Sequence, residues 1–341
     1  MKRRYQLLIS LALTLLIGII IYLGVPNWGE AWSVMIQGRP SFLLAGFSCV
    51  VLHMILRATR WGVLLSPVKR RIAFKNLFSL TLVKYVINVI PPRTGEVVAS
   101  VLLARKEDVP AVSVIGASLL ERILDILTVV LIFFFYLSFV SHHYAPSSER
   151  GHIIMLAIQG YSVKALVVLC LGLLFLFLSL RHSGWLNWLP AVIRRHLTPF
   201  LEGFRALQMG GALLKAAGLS LAIWLIIACQ LWFMTLAYLD TFPFVGAIFL
   251  MAITVVGVAI PTPGGVGGFQ FFMNLGLVNF FGQYLSQQDS NSQAAGISNG
   301  VYIVSMIPVI LVGLVFMNRE GLSFRKISQL TETKEGVARP S

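Results

Sequence analysis

Between Thr241 and Gln288 the chain carries no Asp, Glu, Lys or Arg, yet the middle of that run reads "VAIPTPGGVGGFQFF", residues 258–272. A membrane helix needs about 20 apolar residues in succession. Proline removes a backbone donor and glycine disfavours helix. In lipid, a backbone group freed this way has no water to bond. A helix break at that depth is tolerated only where protein or a watery cavity surrounds it. No other segment narrows the choice of fold as much.

The same absence of charge recurs at 5–29, 40–56, 126–148, 165–180, 216–239 and 290–318. Soluble domains carry about 25% charged residues; here the fraction is 12%, with 57% hydrophobic types and a mean hydropathy of +0.84. The runs are rich in Leu, Ile, Val and Phe and do not alternate at period two, so they predict helices and not a barrel. The class is an all-α polytopic membrane protein. The net charge of +14 would suggest nucleic acid in a soluble protein. Here basic residues flanking spans on the cytoplasmic side account for it, and they attract anionic lipid headgroups. No nucleic-acid partner is expected. Cys49, Cys170 and Cys229 sit singly in apolar runs and read as small hydrophobes. The basic start "MKRR" resembles a signal peptide, but the apolar stretch after it is too long and no A-x-A follows, so it reads as a retained first span.

Six full spans are expected, at about 5–24, 41–65, 111–140, 163–180, 214–239 and 297–317. With the N-terminus inside, only Arg39, Arg150 and Lys164 of 27 basic residues fall outside, while Lys84, Arg93 and Arg122 fall at membrane depth. That bias obeys the positive-inside rule and puts both termini in the cytoplasm. It survives only if 74–104 and 243–282 each enter and leave on one side, as re-entrant hairpins. The first is flanked by Arg70, Arg71, Lys75, Arg105 and Lys106 and opens inward; the second is nearly uncharged at both ends and opens outward. Residues 1–320 then form one transmembrane domain, with 321–341 a cytosolic, partly disordered tail. Residues 190–206 read as an amphipathic helix on the inner surface.

The two hairpins align without gaps. "FKNLFSLTLVKYVINVIPPRTGEVV" and "FVGAIFLMAITVVGVAIPTPGGVGG" match at a shift of 170 residues, which carries Phe74 onto Phe244, Ile90 onto Ile260, Pro91 onto Pro261 and Gly95 onto Gly265. Paired, Gly/Pro-interrupted apolar segments in two halves are the sequence pointer to a transporter site. Facing opposite sides, they make an inverted repeat whose tips meet near the midplane. The plainer reading is that Pro and Gly merely kink ordinary spans.

Charge inside a span costs about 2.5–3.5 kcal/mol per residue on insertion scales, so the buried charges need a reason. Glu121 and Asp125 are i, i+4 and share a helix face; Arg122 and Asp125 are i, i+3 and can pair. Arg93 and Glu96 sit in the turn "PPRTGE". A guanidinium fork suits phosphate oxygens, so Arg93 is expected to take a lipid phosphate, with Glu96 or Glu121 orienting it or meeting a cationic headgroup. The competing reading is a structural ion pair at the cytoplasmic interface. Arg57 and Arg60, i, i+3 beside Trp61, read first as an interfacial anchor and second as a headgroup contact. Lys84 either faces the cavity or snorkels. "PGGVGG" is neither G-x-G-x-x-G nor a P-loop, though its amides could receive an anion at the helix near 269–281. His142, His143 and His152 read as a solvated outer loop, and no metal or other cofactor is expected.

Three stretches in order, "NVIPPRTGEVVASVLLARK", "ASLLERILDILTVVLIFF" and "IPTPGGVGGFQ", resemble the lysylphosphatidylglycerol synthase transmembrane region family over roughly 5–318. The resemblance implies a polytopic, flippase-like protein of a bacterial-type cytoplasmic membrane. In the aminoacyl-lipid synthases this region moves the modified phospholipid and a separate cytosolic domain transfers the amino acid. Carried over, the matching positions are Arg93, Gly95, Glu96, Glu121, Arg122, Asp125, Pro261, Pro263, Gly264, Gly265 and Gly267. No stretch here is long enough for that cytosolic domain, so the chain is not expected to be an enzyme. The expected function is movement of a phospholipid or polyprenyl-linked lipid through a midplane cavity. The alternatives are an intramembrane enzyme acting on lipid phosphates and a non-catalytic scaffold of a lipid or envelope synthesis complex. The expected partners are membrane lipids, a second copy of the chain, and a separate lipid-synthesis enzyme.

Overall fold

The structure, a computed structural model, describes residues 12, 15–89, 94–140, 146–157, 160, 164, 167, 171–172, 210–286 and 289–319. Every regular element among the described residues is helical. Two short helices come first, α1 (Leu15–Gly24) and α2 (Trp28–Ile36). They are followed by α3 (Pro40–Leu65), α4 (Phe74–Ile87), α5 (Gly95–Glu107) and α6 (Ala111–Phe135), the last continued by a π turn, Tyr136–Val140. The second half holds α7 (Gly210–Leu236), α8 (Phe244–Ala259), a 3-10 turn at Pro263–Gly265, α9 (Gly268–Phe280) and α10 (Ser290–Arg319).

Four helices are long and apolar enough to cross a membrane: α3, α6 with its π turn, α7 and α10. They fall on the expected spans at 41–65, 111–140, 214–239 and 297–317. The first expected span, at about 5–24, is described only in part. Its described part ends at Gly24, and α2 leaves at 96° to α1. Pro26 lies in that corner, and proline cannot supply the amide a continuing helix needs. Asn27 then caps α2 by accepting from the Glu30 amide at 3.1 Å. The expected span at 163–180 for the most part, the surface helix at 190–206, the tail at 321–341, His142, His143 and Arg93 lie outside the described residues.

Helices α3 and α7 pack along each other, and they run antiparallel. Arg39, just before α3, donates to the carbonyls of Leu236 and Leu239 at the end of α7. Near the other end of α3, Arg60 reaches Ser220, early in α7. Arg39 thus satisfies carbonyls that a helix C-terminus leaves without partners. Helix α4 packs on α5 and α3, α5 on α6, and α3 on α6. In the second half α8 packs on α9 and α7, α9 on α10, and α7 on α10. Across the halves α10 touches α4 and α3, while α6 touches α8 and α7.

The short helices pair through glycine. A Cβ on Gly257 would lie 2.2 Å from the Gly268 carbonyl oxygen, so α8 and α9 meet backbone to backbone. A Cβ on Gly95 would lie 2.2 Å from the Lys84 carbonyl oxygen, so α5 starts against the end of α4. The turn between α8 and α9 holds Gly264, Gly265 and Gly267 at positive φ, where side chains with a Cβ are strained. At the open end of α4 and α5, the Glu107 carboxylate accepts from Lys69 (2.8 Å), Asn76 (2.6 Å) and the Ala73 amide (3.3 Å). Burial raises its pKa, but these hydrogen bonds outweigh burial and hold the carboxyl below the usual range.

Candidate functional site

A cluster of charge lies where α3, α4, α5, α6 and α7 converge. Its centre is Arg60, fully buried, which donates to Asp125 at 2.8 Å, Glu121 at 2.8 Å and Ser220 at 2.7 Å. Glu121 and Asp125 do share a face of α6, and together they clasp this one guanidinium. Asp125 also accepts from the Trp224 indole at 3.0 Å and from Arg57 at 3.3 Å. Lys84 turns inward, with its ammonium 3.7 Å from Glu121 and 5.6 Å from the centroid of the Trp61 ring. Arg57, Lys84, Glu121 and Asp125 are all at most 6% exposed.

Arg122 and Glu96 form the open rim. Arg122 is half-exposed, donates to Glu96, and lies 3.7 Å from Asp125, as the i, i+3 spacing allows. Asn88 ties this rim to the turn of the first hairpin: its side chain donates to Glu96 at 3.3 Å and accepts from the Gly95 amide at 2.8 Å. The Asn88 carbonyl also accepts from the Gly264 amide at 3.5 Å. The turn carrying Pro261, Pro263, Gly264, Gly265 and Gly267 therefore abuts the turn carrying Asn88, and Tyr302 on α10 donates to the Gly264 carbonyl at 2.8 Å.

Two expectations change. Arg57 and Arg60 are not interfacial anchors. The i, i+3 spacing on α3 faces the i, i+4 carboxylates on α6, and that pairing offsets the cost of burial. Nor does the glycine turn offer the four amides of 264–267 to an anion. Gly264 donates to Asn88, Gly265 to Thr262 at 3.0 Å, Val266 to Pro263 at 3.1 Å and Gly267 to the Gln270 side chain at 2.8 Å. Ser220 and Trp224 were not foreseen. They are an i, i+4 pair in the charge-free run 216–239, and that spacing is the one signal they leave. Asn88 had a local signal, as an amide side chain just before the Pro-Pro turn.

Among the described residues the cluster holds four cations, Arg57, Arg60, Lys84 and Arg122, and three carboxylates, Glu96, Glu121 and Asp125. Such a set can hold an anion beside fixed counter-charges. A helical integral membrane protein that buries three of these cations and two of these carboxylates, with Arg122 and Glu96 at the rim, is the class the geometry defines. The chain belongs to the lysylphosphatidylglycerol synthase TM region family, whose model matches residues 7–317. It is also similar to the UPF0104 membrane protein MJ1595 of Methanocaldococcus jannaschii, 23% identical over 279 residues, covering 76% of this chain and 80% of that protein. No solved structure matches.

Proposed function

We propose that the chain moves a phosphate-bearing membrane lipid between leaflets, using the charged cluster beside two hairpin tips. The observation that carries this reading is a set of three buried cations and two buried carboxylates, with Arg122 and Glu96 at its rim, lying against the turn of the first hairpin. Intramembrane ionisable residues are costly and mark substrate paths. Family membership, which names the membrane region of a lipid synthase, supports a lipid substrate.

In this reading α4–α5 and α8–α9 are re-entrant hairpins entering from opposite sides of a bacterial-type cytoplasmic membrane, with both termini inside. Several features support it. The shift of 170 residues extends backwards: it carries Pro40–Leu65 onto residues 210–235, nearly the whole of α7. The antiparallel course of α3 and α7 is what an inverted pair requires. Each helix contact in α3–α6 has a counterpart in α7–α10. At 1.5 Å per residue, α4 and α8 are about 21 and 24 Å long. Neither alone crosses a hydrocarbon core of about 30 Å, while end to end they cover about the 40–45 Å of a bilayer with its headgroups.

The test is reconstitution of the full chain into liposomes holding a fluorescent phospholipid. Exchange of label between leaflets faster than in empty liposomes, with no new lipid product by mass spectrometry, is the expected result. A covalently altered lipid would make the protein an enzyme instead. Neither exchange nor product would leave a scaffold.

A further inference from the structure

We infer that Arg57 is the exchangeable cation of the cluster, the one that leaves its carboxylate to hold a monoanionic phosphodiester, while Arg60 stays fixed. This rests on the lipid-moving reading and assigns the residue through which it works. The two arginines sit three residues apart on α3 and differ in how well they are held. Arg60 makes three bonds of 2.7–2.8 Å, to two carboxylates and a hydroxyl. Arg57 makes one, at 3.3 Å to the Asp125 oxygen Oδ2, while the buried Nε of both arginines has no partner. A charge-assisted bond is normally about 2.7–2.9 Å, so the Arg57 contact is the slack one.

Asp125 can release Arg57 without being left bare. Its other oxygen, Oδ1, keeps Arg60 at 2.8 Å and the Trp224 indole at 3.0 Å, and Oδ2 keeps Arg122 at 3.7 Å. Arg57 is meanwhile positioned by the Trp224 ring, 5.8 Å from its guanidinium carbon. The same indole thus steadies the cation with its face and occupies the carboxylate with its N–H. Four cations against three carboxylates leave an excess of positive charge among the described residues, the sign that an anionic phosphodiester complements. The guanidinium fork offers that group two parallel donors, of which Asp125 takes one.

The experiment uses the purified full chain in an uncharged detergent. Thermal stabilisation is titrated with dihexanoyl phosphatidylglycerol, with dihexanoylglycerol as the phosphate-free control and with inorganic phosphate as the free-anion control. The expected result is saturable stabilisation by the phospholipid alone, weakened at least about tenfold in Arg57→Gln and partly restored in Arg57→Lys, since a charged hydrogen bond contributes about 1.5–3 kcal/mol. Trp224→Phe removes the indole N–H, leaves Asp125 to grip Arg57, and weakens binding by about threefold. That variant decides the matter if Arg57→Gln does not fold. Stabilisation by inorganic phosphate equal to that by phospholipid would overturn the lipid assignment. Undiminished binding in Arg57→Gln, or in Trp224→Phe where Arg57→Gln does not fold, would overturn the role of Arg57 while leaving the proposed function standing. If the wild-type chain is stabilised by neither and moves no lipid in liposomes, the proposed function falls first.

Discussion

Two helix crossings occupy corresponding places in the two halves. In the first, Arg60 on α3 donates to Asp125 on α6. In the second, Gln230 on α7 donates to Ser305 on α10 at 2.9 Å. Gln230 lies 170 residues after Arg60 and Ser305 lies 180 after Asp125, so the small difference falls in the longer connection before α10. Both crossings bury a polar bond between the same two helices of a half, but one is ionic and the other neutral. The same contrast appears at the hairpins. Arg122 clips the first through the Glu96 carboxylate, and Tyr302 clips the second through the Gly264 carbonyl. A neutral bond suffices to hold such a crossing, as the second half demonstrates. The charge of the first half has no counterpart in the second, and that asymmetry supports the proposed ligand role.

The comparison breaks most sharply at Arg60. Arg60→Met leaves Glu121 and Asp125 buried with less compensation, and removal of one partner from a buried pair costs about 3–5 kcal/mol. We expect a large fall in the melting temperature of the purified protein. A Gln230→Leu variant should lose only about 1 kcal/mol. Equal losses in the two variants would erase the distinction. The hairpins come next. Gly257→Ala pushes a methyl to 2.2 Å from the Gly268 carbonyl, an overpacking cost of about 1–3 kcal/mol, and Gly95→Ala should match it because the first hairpin is equally tight. Tyr302→Phe removes one hydroxyl donor within the membrane, worth about 0.6 kcal/mol, and loosens the second tip alone, as hydrogen exchange of residues 260–267 would read. The mildest effect is acid. The Glu107 carboxyl is held below its usual range, so its contribution is complete above the ordinary carboxylate pKa and lost as pH falls through the depressed value. The corresponding end of the second hairpin is closed by Phe242, Phe281 and Tyr284, which do not titrate in acid. Acid should thus open α4–α5 before α8–α9, and Glu107→Gln should remove the difference.

Four of the expected spans were readable in the sequence because hydropathy over about 20 residues is a local property. The i, i+4 pair Glu121 and Asp125 was readable for the same reason. Their partners were not. A basic residue near the end of a span looks the same in sequence whether it snorkels to headgroups or turns inward, and Arg57 and Arg60 turn inward only because α6 presents carboxylates to them. Ser220 and Trp224 reach the cluster from more than 90 residues away along the chain, through the packing of α7 against α3. The bend after Gly24 was hidden for a simpler reason: Pro26 follows an apolar run already long enough to be a span.

The backbone bond between Asn88 and Gly264 has a consequence for the lipid that surrounds the protein. The two turns touch, so in the proposed re-entrant arrangement the lengths of α4 and α8 would fix the distance between the outer ends of the hairpins. A bilayer of that thickness leaves the contact unstressed, while one with shorter or longer acyl chains must deform or tilt the helices at a modest cost per ångström. On the proposed lipid-moving reading, acyl chain length would control how readily the turns part, and the rate in liposomes should pass through an optimum as chain length is varied.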